Sequence, residues 1–398
     1  MKSIDLSVAS RNVRTYILDY IVSYFYVPIA IWPLFAMKYV SFSELGIILM
    51  VGMIVNMLLN IPTGALADRF GRKTMILISY TLAFLSRVII VFAFNFWLFL
   101  ISEILKQASE AFYAGSAVAL VYDSLKKEKR EQEFKSVESR GYFFATTGLI
   151  GASILGGYLF GVHPRAPFIA MLFIEVLMIV NALRYIEDRT SASVLKETYI
   201  STLRKGVSHI FRHRQIAIVS LYSLVISFVF FSAMWLLYQK SANEFGFSPV
   251  LVGYLIAVLY LFRAGGTFVY AKMLNYILDR TMGIGLALSQ ALGSFLLALA
   301  QVPLALFGLG TRYFTDGLRQ PFLTKIQNEH IESKYRSTSL SAISFLSSLS
   351  LAIFSPLLGF GMDRIGARAT LALTGILSLV LGTYLGSMIT EKKNNVKY

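Results

Sequence analysis

Ten ionisable residues stand inside otherwise apolar stretches of the chain: Asp19, Glu103, Glu110, Glu175 and Asp316 against Arg87, Lys106, Arg263, Arg312 and Arg319. A charge in mid-membrane costs at least ~2.5–3.5 kcal/mol, so each is kept for a partner, a solute or a proton. Two sets share a spacing. Glu103, Lys106 and Glu110 fall at i, i+3 and i+7, and Arg312, Asp316 and Arg319 at i, i+4 and i+7. Each set therefore lies on one helical face. Pairing within the face and contact with a passing solute are both open to them. His163, His209, His213 and His330 all fall outside the apolar stretches, so a proton relay has to use carboxylates. Glu110, near mid-depth, is the first candidate; Asp19, about 10 Å into its span at ~1.5 Å per residue, is the second. Glu103 and Asp316 follow, and Glu175 reads as structural.

The elements that hold these residues follow from composition. The chain has 398 residues, 56% hydrophobic and 15% charged, with a mean hydropathy of +0.64. Soluble domains carry about 25% charge, so a water-soluble, disordered or coiled-coil chain is excluded. The absence of cysteine removes disulfides, thiolate metal sites and cysteine nucleophiles; no metal or cofactor is expected. A spanning helix needs ~20 apolar residues. Such runs occur near 14–37, 43–64, 74–95, 97–122, 140–162, 166–186, 216–239, 249–271, 282–300, 303–325, 338–361 and 370–389. The expected fold class is an all-α polytopic membrane protein with twelve transmembrane helices. The polar stretch from Glu187 to Gln215 divides it into a six-helix bundle over 1–186, a cytoplasmic loop over 187–215 and a second bundle over 216–398.

The formal charge is +15. With the N-terminus inside, Lys and Arg favour the cytoplasmic segments by about five to one, which sets both termini in the cytoplasm. The basic excess is thus a topology signal, with anionic inner-leaflet lipids as partners and no nucleic acid. Arg11 and Arg14 lead straight into a long span without a cleavage site, so no signal peptide is read here. With no glycosylation acceptor either, a prokaryotic cytoplasmic membrane is expected.

Gly156–Gly157–Tyr158–Leu159–Phe160–Gly161 closes the fifth span and Pro356–Leu357–Leu358–Gly359–Phe360–Gly361 the eleventh, as in a chain of two related halves. Between spans two and three runs Gly64–Ala65–Leu66–Ala67–Asp68–Arg69–Phe70–Gly71–Arg72–Lys73. Gly64 allows close helix approach and Gly71 a turn with positive φ. Asp68, Arg69, Arg72 and Lys73 form a compact charge set at the cytoplasmic mouth. This run resembles, almost residue for residue, the signature G-x-L-a-D-r-x-G-r-k of the major facilitator superfamily. The resemblance implies two pseudo-symmetric bundles with a cavity lined by spans one, four, seven and ten. It also implies a latch in which Asp68 meets the start of span eleven, where Arg336, Ser337 and Thr338 match the family's R-x-T.

Two family signatures are altered. Where many proton-coupled members carry Arg in span four, this chain has Glu103, followed by Lys106 and Gln107. The drug-antiporter signature G-P-x-x-G-G of span five reads Ala152–Ser153–Ile154–Leu155–Gly156–Gly157 here, without the proline. The Gly148, Ala152 and Gly156 face is expected to pack against the other lobe. On the family plan the Glu103 and Arg312 stripes face each other, making Lys106, Arg312, Arg319, Arg87 and Arg263 candidate solute contacts. Tyr16, Tyr20 and Tyr24 recur along span one, and Phe228, Phe231, Trp235 and Tyr238 along span seven. Such stripes are more often packing than a ligand box; if Tyr20, Tyr24, Phe231, Trp235 and Tyr238 line the cavity, they favour an amphipathic or aromatic solute. Pro28, Pro33 and Pro321 should bend their helices.

The expected function is a monomeric secondary transporter that moves a small organic solute by alternating access, coupled to protons, with multidrug-type efflux favoured over uptake. An uncoupled facilitator and a proton-coupled uptake symporter are the alternatives. A membrane-embedded enzyme is disfavoured, because no H-E-x-x-H, G-x-S-x-G or P-loop lysine motif occurs.

Overall fold

The computed structural model describes residues 7–187, 199–239, 245–273, 276–299, 301–331 and 336–391. They are almost wholly helical: α1 (Val8–Tyr24), α2 (Trp32–Ala36), α3 (Phe42–Phe70), α4 (Arg72–Val91), α5 (Phe96–Ala114), α6 (Ala117–Lys127), α7 (Phe134–Val162), α8 (Ala166–Ala182), α9 (Tyr199–Arg212), α10 (Arg214–Gln239), α11 (Pro249–Met273), α12 (Asp279–Ala298), α13 (Val302–His330), α14 (Arg336–Leu377) and α15 (Thr383–Ser387). Twelve membrane-crossing segments are built from them.

Several segments differ from their expected outlines. The first starts earlier, at Val8, and breaks instead of bending. After α1 comes a 3-10 turn, Val27–Ala30, with Pro28 in its first two positions, and then α2 with Pro33 in its own. Each proline lacks an N–H and disfavours helix in the residue before it. The fourth segment breaks at Gly115–Ser116 into α5 and α6. The eleventh and twelfth run together as α14, parted only by Gly366 at φ 81° and ψ 161°. Pro321 leaves α13 unbroken. Its missing N–H would have served the Gly317 carbonyl, which accepts the Thr267 hydroxyl of α11 at 3.1 Å instead. The stretch 187–215, read as loop, carries α9, whose Ile210 packs with Ile216, Ile331, Ala342 and Ile343.

Seven helical stretches among the described residues are both long and apolar enough to cross a membrane alone. α5 and α13 fall short because they carry the two charged stripes. Such segments stay in a bilayer because neighbours satisfy them.

The chain divides into two compact units, Met1–Val40 with Ile48–Lys196 and Phe247–Ala257, and Ser41–Ile47 with Glu197–Gly246 and Val258–Tyr398. Lipid tails give helices no hydrophobic reason to associate, so packing rests on small residues and hydrogen bonds. In the first unit, α4 and α5 meet at two serine pairs, Ser79 with Ser109 and Ser86 with Ser102, each 3.1 Å apart. A Cβ at Gly156 would run into the Val27 carbonyl, and one at Gly148 would meet Phe25. This small-residue face of α7 therefore packs on the first segment of its own unit, which corrects the expectation of a partner in the other lobe. In the second unit, Gly293 of α12 makes room for the Arg312 side chain of α13.

Candidate functional site

The loop between α3 and α4 is built around Gly71. Its φ of 93° suits glycine, and a Cβ there would strike the Glu187 carboxylate. Glu187 accepts the backbone N–H of Arg72 at 2.6 Å and of Lys73 at 3.1 Å, covering free donors at the start of α4. The Arg72 guanidinium binds Asp123 of α6, and the Lys73 ammonium donates to the Leu183 carbonyl at 2.7 Å. Arg69 is exposed, over the Phe70 ring. Asp68 is half-buried and lines a cavity of about 730 Å³ with Arg72, Asp123 and Glu187. The side-chain surroundings of Gly64 and Arg336 lie outside the described residues. Below this loop, Glu128 accepts the Ala9 N–H at 3.0 Å. That bond, then Ser7 and Arg130, holds its carboxyl below the usual range.

The charges inside the first unit form two ion-paired sets. Along α5, Lys106 reaches Glu103 at 3.2 Å and Glu110 at 3.9 Å. Glu103 is buried and also accepts Gln107 at 2.8 Å, while the Glu110 side chain is 54% exposed. The stripe thus pairs along its own helix. Arg87 of α4 faces Glu175 of α8 at 3.6 Å and lies over the Tyr26 ring at 5.0 Å. These groups line a cavity of about 210 Å³.

Asp19 stands apart from both sets. It is fully buried and accepts the Tyr185 hydroxyl at 2.7 Å and the Asn181 amide at 2.6 Å. Among the described residues no Lys, Arg or His is its partner. Nothing about Asp19 itself revealed this pair; the signal was Asn181 and Tyr185 at i, i+4 beside the end of a span.

The second unit gathers its charges around Asp316, which is fully buried. Arg263 of α11 meets one oxygen at 2.8 Å. Arg319 donates to the other at 2.7 Å and to Ser227 at 2.6 Å. Arg312 leaves the stripe: fully buried, it donates to Ser294 of α12 and the Val229 carbonyl of α10. Asp316 thus pairs one turn onward and across to α11, not with Arg312 at i−4. A second pair, Lys325 with Asp279 at 2.6 Å, joins α13 to the start of α12.

The tyrosines of α1 form a ring ladder, with Tyr20 stacked on Tyr24 at 5.2 Å and Tyr16 edge-on to Tyr20 at 5.7 Å. Tyr16 also donates to Glu138 at 2.5 Å. Phe231 packs beside Phe228, Val229 and Leu358. The side chains of Trp235 and Tyr238 lie outside the described residues. No group of three His, Cys, Asp or Glu able to hold a metal occurs among the described residues.

Comparison with known proteins converges on one family. The model of the Major Facilitator Superfamily matches residues 15–315. An uncharacterized MFS-type transporter of Bacillus subtilis (strain 168), YxaM, is 20% identical over 382 residues, covering 92% of each chain. The class B tetracycline resistance protein of Escherichia coli is 24% identical over 230 residues, 56% of this chain and 54% of that protein. The chain thus matches about half the length of that relative. Among solved structures, the nucleoside transporter NupG gives a TM-score of 0.79 at 10% identity, over 97% of this chain and 100% of that one. A D-xylose-proton symporter gives 0.69 at 14% identity, over 97% of each. At such identities the structures speak for the fold alone. With the family model spanning most of its length, the Gly71 loop intact and ion pairs held within membrane-crossing helices, the chain belongs to the Major Facilitator Superfamily of transporters.

Proposed function

We propose that this transporter is a proton-coupled exporter of an amphipathic organic solute, with Asp19 as its coupling carboxylate. One observation carries the assignment. Glu103, Glu110, Glu175 and Asp316 each have a cation within 4 Å, whereas Asp19 is held by Tyr185 and Asn181, both neutral. A carboxylate without a cation can gain and lose a proton without breaking an ion pair. Asp19 therefore displaces Glu110, which is half-open and tied to Lys106, as the leading candidate. Export is supported by the likeness to the tetracycline resistance protein and to the multidrug resistance protein 2 of Bacillus subtilis (strain 168), 24% identical over 230 residues.

In this reading both termini face the cytoplasm of a prokaryotic cell and the protein works as a monomer beside anionic inner-leaflet lipids. The Asp68, Arg69, Arg72 and Lys73 loop latches one state with Arg336, and Lys106, Arg87, Arg263, Arg312 and Arg319 set the field a solute meets. The test is uptake of tetracycline and of ethidium into everted vesicles under an imposed pH gradient. Wild type should accumulate at least one probe, and Asp19→Asn should lose the gradient dependence. Accumulation of either probe with equal gradient dependence in both proteins would remove Asp19 from the coupling role. Downhill flux indifferent to the gradient in wild type would mark an uncoupled facilitator.

A further inference from the structure

We infer that the first unit contains a standing water chamber that connects Asp19 to Glu110 and conducts its proton. The assignment of a proton to Asp19 rests on the coupling reading above; the chamber itself does not.

Two buried polar atoms that make no hydrogen bond within the protein, the Tyr26 hydroxyl and Arg87 Nε, belong to residues lining the 210 Å³ cavity, and Tyr80 and Tyr113 line it beside them. Tyr80 is only 5% exposed. Native proteins leave few such groups unserved, because each costs ~1–3 kcal/mol. The two ion pairs on the wall are both stretched, Arg87 to Glu175 at 3.6 Å and Lys106 to Glu110 at 3.9 Å. Beyond 3.5 Å a polar contact is commonly bridged by water. At ~30 Å³ per molecule the space suits about seven waters, and the charged and hydroxyl groups on its otherwise apolar wall give them partners. One chamber of water answers the unserved Tyr26 hydroxyl and both stretched pairs at once, the Arg87 Nε contact being one of the two.

The chamber's link to Asp19 is Tyr80. Its ring packs on Tyr113 at 5.6 Å, and its hydroxyl has Asp19 and Ser23 as polar neighbours. Asp19 otherwise faces Asn181 from α8, Tyr185 just past its end and Tyr113 from α5, with Tyr16, bonded to Glu138 of α7, one turn away. A tyrosine hydroxyl both donates and accepts, so it can pass a proton on without holding a charge. The Asp19 carboxyl gives its proton to the Tyr80 oxygen as the Tyr80 hydroxyl proton moves to water. Water then delivers a proton to the Glu110 carboxylate at the mouth. Nothing is oxidised, and each relay group ends with the protons it began with.

The chamber is tested without any solute, by radiolytic hydroxyl labelling of the purified protein. Met171 and Met178 line the wall yet are 3% and 2% exposed; Met75, also 2% exposed, does not line it. Oxidation of Met171 and Met178 should exceed that of Met75 by about fivefold or more, as expected beside bound water. Ala83→Leu, which fills the space from its wall, should abolish the excess. Labelling at the Met75 level in wild type overturns the chamber, whatever transport assays show.

The route is tested by infrared spectroscopy after a pH jump, reading the Asp19 band as the difference from Asp19→Asn. Relaxation should slow about tenfold or more in Tyr80→Phe/Tyr113→Phe, which removes only the Tyr80 relay hydroxyl and the Tyr113 hydroxyl beside it. Equal relaxation beside a labelled chamber overturns the route, as does an Asp19 band that stays silent between about pH 4 and 9. Loss or retention of gradient-driven transport in Asp19→Asn is a separate result.

Discussion

Asp19 and Asp316 are both fully buried aspartates in the middle of a helical unit, and their surroundings answer the same charge in opposite ways. Asp316 lies between Arg263 and Arg319, so three helix-borne charges leave a net cation and a rigid ionised centre. Asp19 has a phenol and an amide. The first arrangement fixes structure, since losing either sign strands the other in a medium that cannot solvate it. The second leaves protonation open. Two acids of the same type and burial therefore differ in role because of what surrounds them, and the contrast can be broken from either side.

The largest effect should come from Asp316→Asn. It leaves Arg263 and Arg319 without a carboxylate, a loss of ~3–5 kcal/mol, against ~1 kcal/mol or less for Asp19→Asn, whose neighbours can bond an amide. Thermal unfolding in detergent reads the pair, and equal shifts would erase the distinction. Next, Asn181→Lys places a cation beside Asp19. It should cut gradient-driven accumulation about tenfold, because the carboxylate now has an ion pair to break; undiminished drive would mean that isolation from cations is not what matters.

Glu187 extends the comparison to a carboxylate served by backbone N–H groups. Gly71→Ala should cost ~1–2 kcal/mol from the positive φ alone, and Glu187→Gln less, since an amide oxygen still accepts. An equal cost for both in thermal unfolding would place the strain in the cap and not the turn. The smallest effect belongs to Glu128, whose depressed carboxyl contributes stability above its unfolded value of about 4.3. That contribution is lost as pH falls through the folded value, a few tenths of a kcal/mol at a half-buried surface site screened by solvent. Glu128→Gln should flatten this acid limb, and an unchanged limb would assign it to other groups.

What could be read in the chain alone was whatever depends on spacing along it. The twelve segments, the Gly71 turn and the Glu103–Lys106–Glu110 ladder all follow from local periodicity. What depends on neighbours could not be read. The Arg312 guanidinium sits in the right stripe but turns to Ser294 and a carbonyl of α10, a choice set by the room at Gly293. Glu175 gained its meaning from Arg87, far from it in sequence. Likewise Glu187, at the edge of a polar stretch, acquired a role only when the fold brought it under Gly71.

The Thr267 hydroxyl lies within reach of two carbonyls, that of Arg263 in its own helix at 3.3 Å and that of Gly317 at 3.1 Å. Only the second is left unserved by Pro321. A threonine so placed is a tie between helices: if α11 and α13 slide past one another, the hydroxyl falls back on its own helix and the Gly317 oxygen is left bare in oil, a cost that resists the slide. Arg263, one turn away, would travel with it, so a slip at the proline and a loosening of the Asp316 centre would be one event.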